Sequence, residues 1–577
     1  MQCTRAIRFL TSSAAIVALC AGLAAAAAAQ SVAGPYLAAR QAAAQNDYGA
    51  AASYFTQALV RDPANVDLME NAVVSFMSLG EIGRAVPIAR TMQQSGRESQ
   101  VAQMVLTADL LDQEDYLALI ARETGAQGIG PLVDGLIKAW AYMGAGEAKE
   151  ALAQFDRVSS EVGLQGFAMF HKAMALALVG DFEGAEAIFA DDGAGVMVLT
   201  RRGAMARAEI LSQLDRNDDA LALLREAFAG ATDPELDALT AALEEGESVP
   251  FRHVASVRDG FAEVFYSLAA ALRSEAGPEY TLLYSQVALY LRPAHVDALL
   301  LTAELLETLG QSDLAIAAYK RVPANHPAYH AAELGRAAAL RQADRPDAAI
   351  EVLEQLARSH GDMAIVHSSL GDALRAQDRH AEAVAAYDRA LALTEDGARA
   401  QWFLLYARGI AQERLGNWDA SEADFRAALA LNPDQPQVLN YLGYSLVERQ
   451  VKLDEALDMI RRAADASPDS GYIIDSLGWV LYRLGRYEEA IGHMERAVEL
   501  MPVDPVVNDH LGDVLWAVGR TREAEFQWAR ALSFVDNDEP DSEADPERIR
   551  AKLEVGLDRV LADEGAKPLT AVAAKEK

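Results

Sequence analysis

Between Gln437 and Leu532 the chain repeats itself three times, and that repetition constrains the fold more than any other feature. Gly443, Gly478 and Gly512 each follow a leucine at spacings of 35 and 34 residues, and Pro433, Pro468 and Pro502 keep the same spacings. Ala456, Ala490 and Ala524 fill one further shared slot. A unit of this length is two short helices and two turns. It cannot bury its own apolar stripe and must stack on its neighbours. Small residues at the Gly478 and Ala490 slots let the paired helices approach, a bulky side chain at the Met494 or Trp528 slot is expected to fill the space between units, and proline ends the second helix because it lacks a donor.

The pattern Leu-Gly, Ala, bulky, Ala, Pro, recurring in phase, resembles the tetratricopeptide repeat (TPR). The fold it implies is all-α: a TPR helix-pair superhelical solenoid closed by a C-terminal capping helix. Composition agrees, because 577 residues exceed what one hydrophobic core supports, while a solenoid grows by adding units. Aromatic residues make up only 7% and β-branched runs are scarce.

Read in order, residues 1–29 are expected to form a signal peptide. Arg5 and Arg8 supply the basic region, Phe9 to Leu23 the apolar core, and Ala27 and Ala29 the small-residue cleavage slots before Gln30. Cys3 and Cys20 both lie in this leader, so the mature chain is expected to carry no thiol. The alternative is lipidation at Cys20, whose box Val17-Ala18-Leu19-Cys20 has leucine where a small residue is wanted. Residues 30–234 read as a divergent array, opening with Asp47, Tyr48, Ala51 and Phe55 in phase and containing an out-of-register pair at 100–131. Residues 235–261 lose the period and read as an irregular hinge. A well-formed array follows over 262–538, then an acidic connector, a capping helix from Glu547 to Leu561 and a polar tail, together 539–577.

Chemistry is sparse. The formal net charge of −34 argues against a nucleic-acid binder and an anionic-membrane binder, both of which need clustered Lys and Arg. No phosphate loop, nucleophile elbow or HExxH occurs, and no cofactor or metal is expected. His326 and His330 in HPAYH straddle a turn, and DNDEPDSEAD lacks the glycine and terminal glutamate of a calcium loop. The chain is expected not to be an enzyme; the other class, an envelope enzyme built from scattered carboxylates, would need a cleft of convergent titratable groups.

The segments LNYLGYSL, LDEALDMI, YIIDSLGWVLYRLGRYEEAI and NDHLGDVLWAVGR further resemble the C-terminal repeats of exported proteobacterial TPR proteins, and VALYLRPAHVDALLLTAELLETLGQSDLAIAAYKRVP is similar to the alphaproteobacterial type. These relatives include adaptor lipoproteins of carboxyl-terminal processing proteases. The resemblance implies a periplasmic scaffold or adaptor that binds envelope proteins, with such a protease and its substrates as partners. The alternatives are an outer-membrane lipoprotein anchored at Cys20, and an accessory factor for outer-membrane assembly or polysaccharide export. It also implies that the first helix of each unit lines a concave face. The residues at those slots are Phe403 and Tyr406, Asn440 and Tyr444, then Tyr472, Asp475, Trp479 and Tyr482, then Asp509, Asp513 and Trp516. That aromatic and acidic row is the expected protein-binding surface, with Trp479 and Tyr444 facing one another across one groove. The competing reading of each ring is packing between successive first helices.

Overall fold

A computed structural model describes residues 32–566 and 569, apart from 98, 123–127, 191–199, 229–232, 396, 400 and 536–543. The segment 1–29 expected to be a signal peptide, the heart of the acidic connector and nearly all of the tail lie outside the described residues. Among those described, 31 helices and no strand are found. The chain forms two compact units, up to Val352 and from Leu353 onward.

In the second unit the helix pairs close on a contact between a small and a bulky slot, so the bulky residue fills the space within a pair rather than, as the sequence suggested, between units. A Cβ added at Gly371 would lie 2.6 Å from Tyr387 Cε1, and one at Gly409 2.7 Å from Phe425 Cε1. The same position at Gly478 runs into Met494, and at Gly512 into Trp528. Phe425, Met494 and Trp528 are fully buried at these crossings.

The turn between paired helices needs one residue with positive φ, which glycine adopts without strain and Asn or Asp at modest cost. That residue recurs at Asn46, Gly80, Glu114, Gly146, Gly180 and Asp215 in the first unit, and at Gly416, Gln450, Gly485 and Gly519 in the second. The pair at 100–131, which looked out of register, therefore turns on phase at Glu114. Its irregularity is a truncated second helix, Tyr116–Ala121.

The first unit also folds back on itself. Helix Val257–Leu272 packs on Pro131–Gly144, and helix Pro278–Leu291 packs on both Val66–Ser78 and Gln100–Asp112. Arg258 Nη2 donates to Asp112 Oδ1 at 2.8 Å, and Gln286 Nε2 donates to the Ser78 carbonyl at 2.9 Å. The stretch 235–261 lies at this return. It is helical over Pro234–Glu244 and again from Val257. The connector between is tied down: Arg252 N–H donates to Glu209 Oε2 at 2.9 Å, His253 Nδ1 lies 2.8 Å from the same oxygen, and Arg292 Nη1 donates to the His253 carbonyl at 2.7 Å.

In the second unit the final helix is two pieces, Pro546–Val555 and Leu557–Asp563, where the sequence suggested one. The break is at Gly556, φ +82°, where a Cβ would meet Trp516 Cη2 at 2.8 Å. Close approach to the indole dictates the glycine, and the glycine breaks the helix.

Candidate protein-binding groove

Successive first helices of the second unit, Pro436–Glu448, Gly471–Arg483 and Pro505–Ala517, pack directly on one another, and much of the expected row lies in those seams. Trp479 is 9% exposed. Its indole stacks on His510 at 3.9 Å between centroids and on Tyr482 at 4.9 Å, and its Nε1 donates to Glu448 Oε1 at 2.9 Å. Asp475, also buried, meets His510 Nδ1 at 3.0 Å. Burial pulls the His510 pKa down, but Asp475, with Asp509 and Asp513 beyond it, overcomes that and holds it above its ordinary value. Burial raises the Tyr482 phenol well above its ordinary value.

The last seam is closed by the terminal helix. Lys552, 1% exposed, places Nζ 2.8 Å from Asp509 Oδ2 and 2.6 Å from Asp513 Oδ1. Asp513 also accepts from Trp528 Nε1 at 3.0 Å, and Trp516 Nε1 donates to Asp558 at 3.0 Å. The expectation that Trp479 faces Tyr444 across an open groove is therefore corrected. Asp475, Trp479, Tyr482, Asp509 and Asp513 are consumed by contacts between neighbouring helices, because the helices approach closely enough for side chains at those slots to meet the next unit before they meet solvent.

What stays open is a groove of about 580 Å³ running from helix Gln401–Arg414 to the start of Pro505–Ala517. Asn440, Tyr444, Tyr472 and one edge of Asp475 line it, so the row contributes there. Tyr472 is 65% exposed. The buried Asn440 Oδ1 has no hydrogen-bond partner, an acceptor that costs free energy until a donor reaches it. The sequence reading missed Glu413, Arg414, Tyr441, Glu448, Asp504, Val506 and Val507, which also line it. The one legible signal was Asp504 before Pro505, a helix cap whose Oδ1 accepts from Val507 N–H at 3.0 Å. Of the remaining row, Phe403 is 43% exposed and edge-on to Trp402, while Tyr406 packs on Phe425 and Tyr441. Neither lines the groove.

Sequence profiles described as tetratricopeptide repeat match residues 36–99, 297–329, 334–398, 406–471 and 473–502. These are tetratricopeptide repeats. A TPR repeat-containing protein of Pseudomonas aeruginosa is 31% identical over 156 residues, 27% of this chain and 26% of that protein. The chain thus matches about a quarter of that relative's length. Among solved structures, the Cut9–Hcn1 hetero-tetramer of APC/C aligns over 90% of this chain and 95% of its own at 14% identity and a TM-score of 0.37. MamA aligns over 31% of this chain and 94% of its own at 26% identity and a TM-score of 0.25.

Several perturbed ionisable groups of this TPR array are paired with one another. In the first unit Arg202 bridges Glu263 at 2.7 Å and Asp297 at 2.5 Å, which overcomes burial and holds both carboxyls below the usual range. His326 Nδ1 accepts from Ala328 N–H and His330 Nδ1 lies 2.9 Å from the Pro327 carbonyl, so this pair serves its own turn. Among the described residues no group of three or more His, Cys, Asp or Glu is arranged to hold a metal ion, and no helix is long and apolar enough to cross a membrane. The TPR fold is generally a non-catalytic scaffold that binds proteins, and no catalytic family is indicated.

Proposed function

We propose that this chain is an exported TPR adaptor of the cell envelope, and that the groove of its second unit docks an extended protein segment. The observation that carries the reading is the groove itself: an unpartnered acceptor at Asn440 flanked by Tyr444 and the exposed Tyr472 suits main-chain N–H groups and apolar side chains of an extended segment. The leader at 1–29 supports release into the periplasm after Ala29, with the Cys20-lipidated form as its alternative. The resemblance of residues 439–532 to processing-protease adaptors supports the finer role, in which the chain brings envelope proteins to a carboxyl-terminal processing protease.

The test is a reconstitution with the purified mature chain, a carboxyl-terminal processing protease from the same envelope and a folded envelope substrate. Cleavage is expected to accelerate when the chain is present, and Tyr472→Ala is expected to abolish the acceleration without changing the melt. Equal cleavage with and without the chain rejects the adaptor role. Acceleration untouched by Tyr472→Ala rejects the groove.

A further inference from the structure

The charge around the groove selects its occupant. Four carboxylates line it, Glu413, Glu448, Asp475 and Asp504, against a single cation, Arg414, among the described residues. Two of the four are already engaged, Glu448 by Trp479 and Arg483, and Asp475 by His510. The other two stand at opposite ends, Glu413 on helix Gln401–Arg414 and Asp504 at the cap of Pro505–Ala517. Glu413 accepts from the Tyr441 hydroxyl, and Asp504 uses one oxygen as its cap, so each retains acceptor capacity.

The helix row shows elsewhere in the same unit what it draws in. Its last seam holds the buried ammonium of Lys552 between Asp509 and Asp513, and the seam before it holds His510 on Asp475. Between the ends of the groove, Tyr444, Tyr472 and Val506 offer rings and methyls along which a long aliphatic stem can lie, with cation–π attraction at the rings. Asn440 Oδ1 lacks a donor, and an anionic chain terminus would bring further acceptors against carboxylates.

We infer that the groove takes a basic extended segment of its protein partner, with lysine or arginine directed at Glu413 or Asp504 and a donor on Asn440 Oδ1. This rests on the docking reading above and names the chemistry of what docks. A segment ending in its own carboxylate, the usual cargo of a groove lined by lysines, is disfavoured here.

The experiment selects random linear peptides displayed on phage against the full mature chain, then measures the winners by fluorescence polarisation. The variants are Glu413→Gln with Asp504→Asn, which keep both hydrogen bonds and remove the charge, and Tyr472→Ala. The expected result is enrichment of Lys and Arg, binding weakened about tenfold or more by the charge-removing pair, and a steep loss with added salt. Winners without Lys or Arg that lose affinity in Tyr472→Ala overturn the charge inference and leave the docking reading standing. Winners indifferent to Tyr472→Ala, or an absence of winners, overturn both.

Discussion

Removing the buried ammonium at the C-terminal end, Lys552→Met, is the sharpest test of how the array is closed. Methionine nearly preserves the stem's volume and removes the charge. Lys552 Nζ now sits 2.8 Å from Asp509 and 2.6 Å from Asp513, and the lysine and both carboxylates are almost wholly shielded from water. Breaking a buried pair from one side leaves uncompensated charge and costs about 3–5 kcal/mol. Here two carboxylates lose their shared ammonium together, and Arg548 Nη1, 3.7 Å from Asp513 Oδ2, offsets only part of that loss. Burial and Asp513 already hold the Asp509 carboxyl above the usual range even with Lys552 in place. A carboxyl whose folded pKa exceeds its unfolded one binds more protons when folded, so its penalty grows as pH rises through the folded value and fades below the unfolded value. The deficit of Lys552→Met is therefore expected to be largest at neutral pH and smaller in mild acid. Repeat arrays unfold locally, so the loss should appear first in the terminal pieces Pro546–Val555 and Leu557–Asp563. Hydrogen exchange of those amides, with urea unfolding at two pH values, reads it. Adding Asp509→Asn and Asp513→Asn to the variant should recover most of the loss. Protection equal to the parent chain at neutral pH would refute the argument, since it would mean the three groups are solvated rather than buried together.

Trp479→Ala should lower stability by about 3–5 kcal/mol, because the ring fills a seam, whereas Tyr472→Ala should leave the melt unchanged; equal melts for the two would put Trp479 on the surface after all. Gly478→Leu drives a side chain into Met494 and should cost about 1–3 kcal/mol by overpacking, while Trp528→Ala should cost about 3–5 kcal/mol; thermal melts decide both. His171 is fully buried, its Nδ1 accepting from Trp140 Nε1 at 3.3 Å and its Nε2 facing Ser267 Oγ. Burial, only partly opposed by Glu263, lowers its pKa to about 4. The stability from this neutral imidazole is present above the unfolded pKa and is lost as pH falls through about 4. A first-unit melt should fall by roughly 3 kcal/mol across that window, and His171→Gln should flatten the slope.

The turns and the paired helices were legible because their partners lie within one repeat, whereas the bulky slots were legible as packing residues but assigned to the space between units. Gly409 meets Phe425 and Gly478 meets Met494 across a single turn, so the period marks both slots while the packed pair decides that they meet each other. Three matters depended on residues brought together from far apart in the chain. The first unit's return, with Arg258 reaching Asp112 across 146 positions, has no periodic signal and shows in the sequence only as a lost phase. Lys552 read as one polar residue in an amphipathic helix, and its burial follows from where that helix lands. The third is the division of the aromatic and acidic row between seam and groove. Slot number along a helix fixes the direction of a side chain to within a turn. Whether that direction ends in water or against the next helix depends on how closely successive first helices pack. Trp479 meets His510 and Tyr472 meets solvent for that reason, and only the packed tertiary structure decides it.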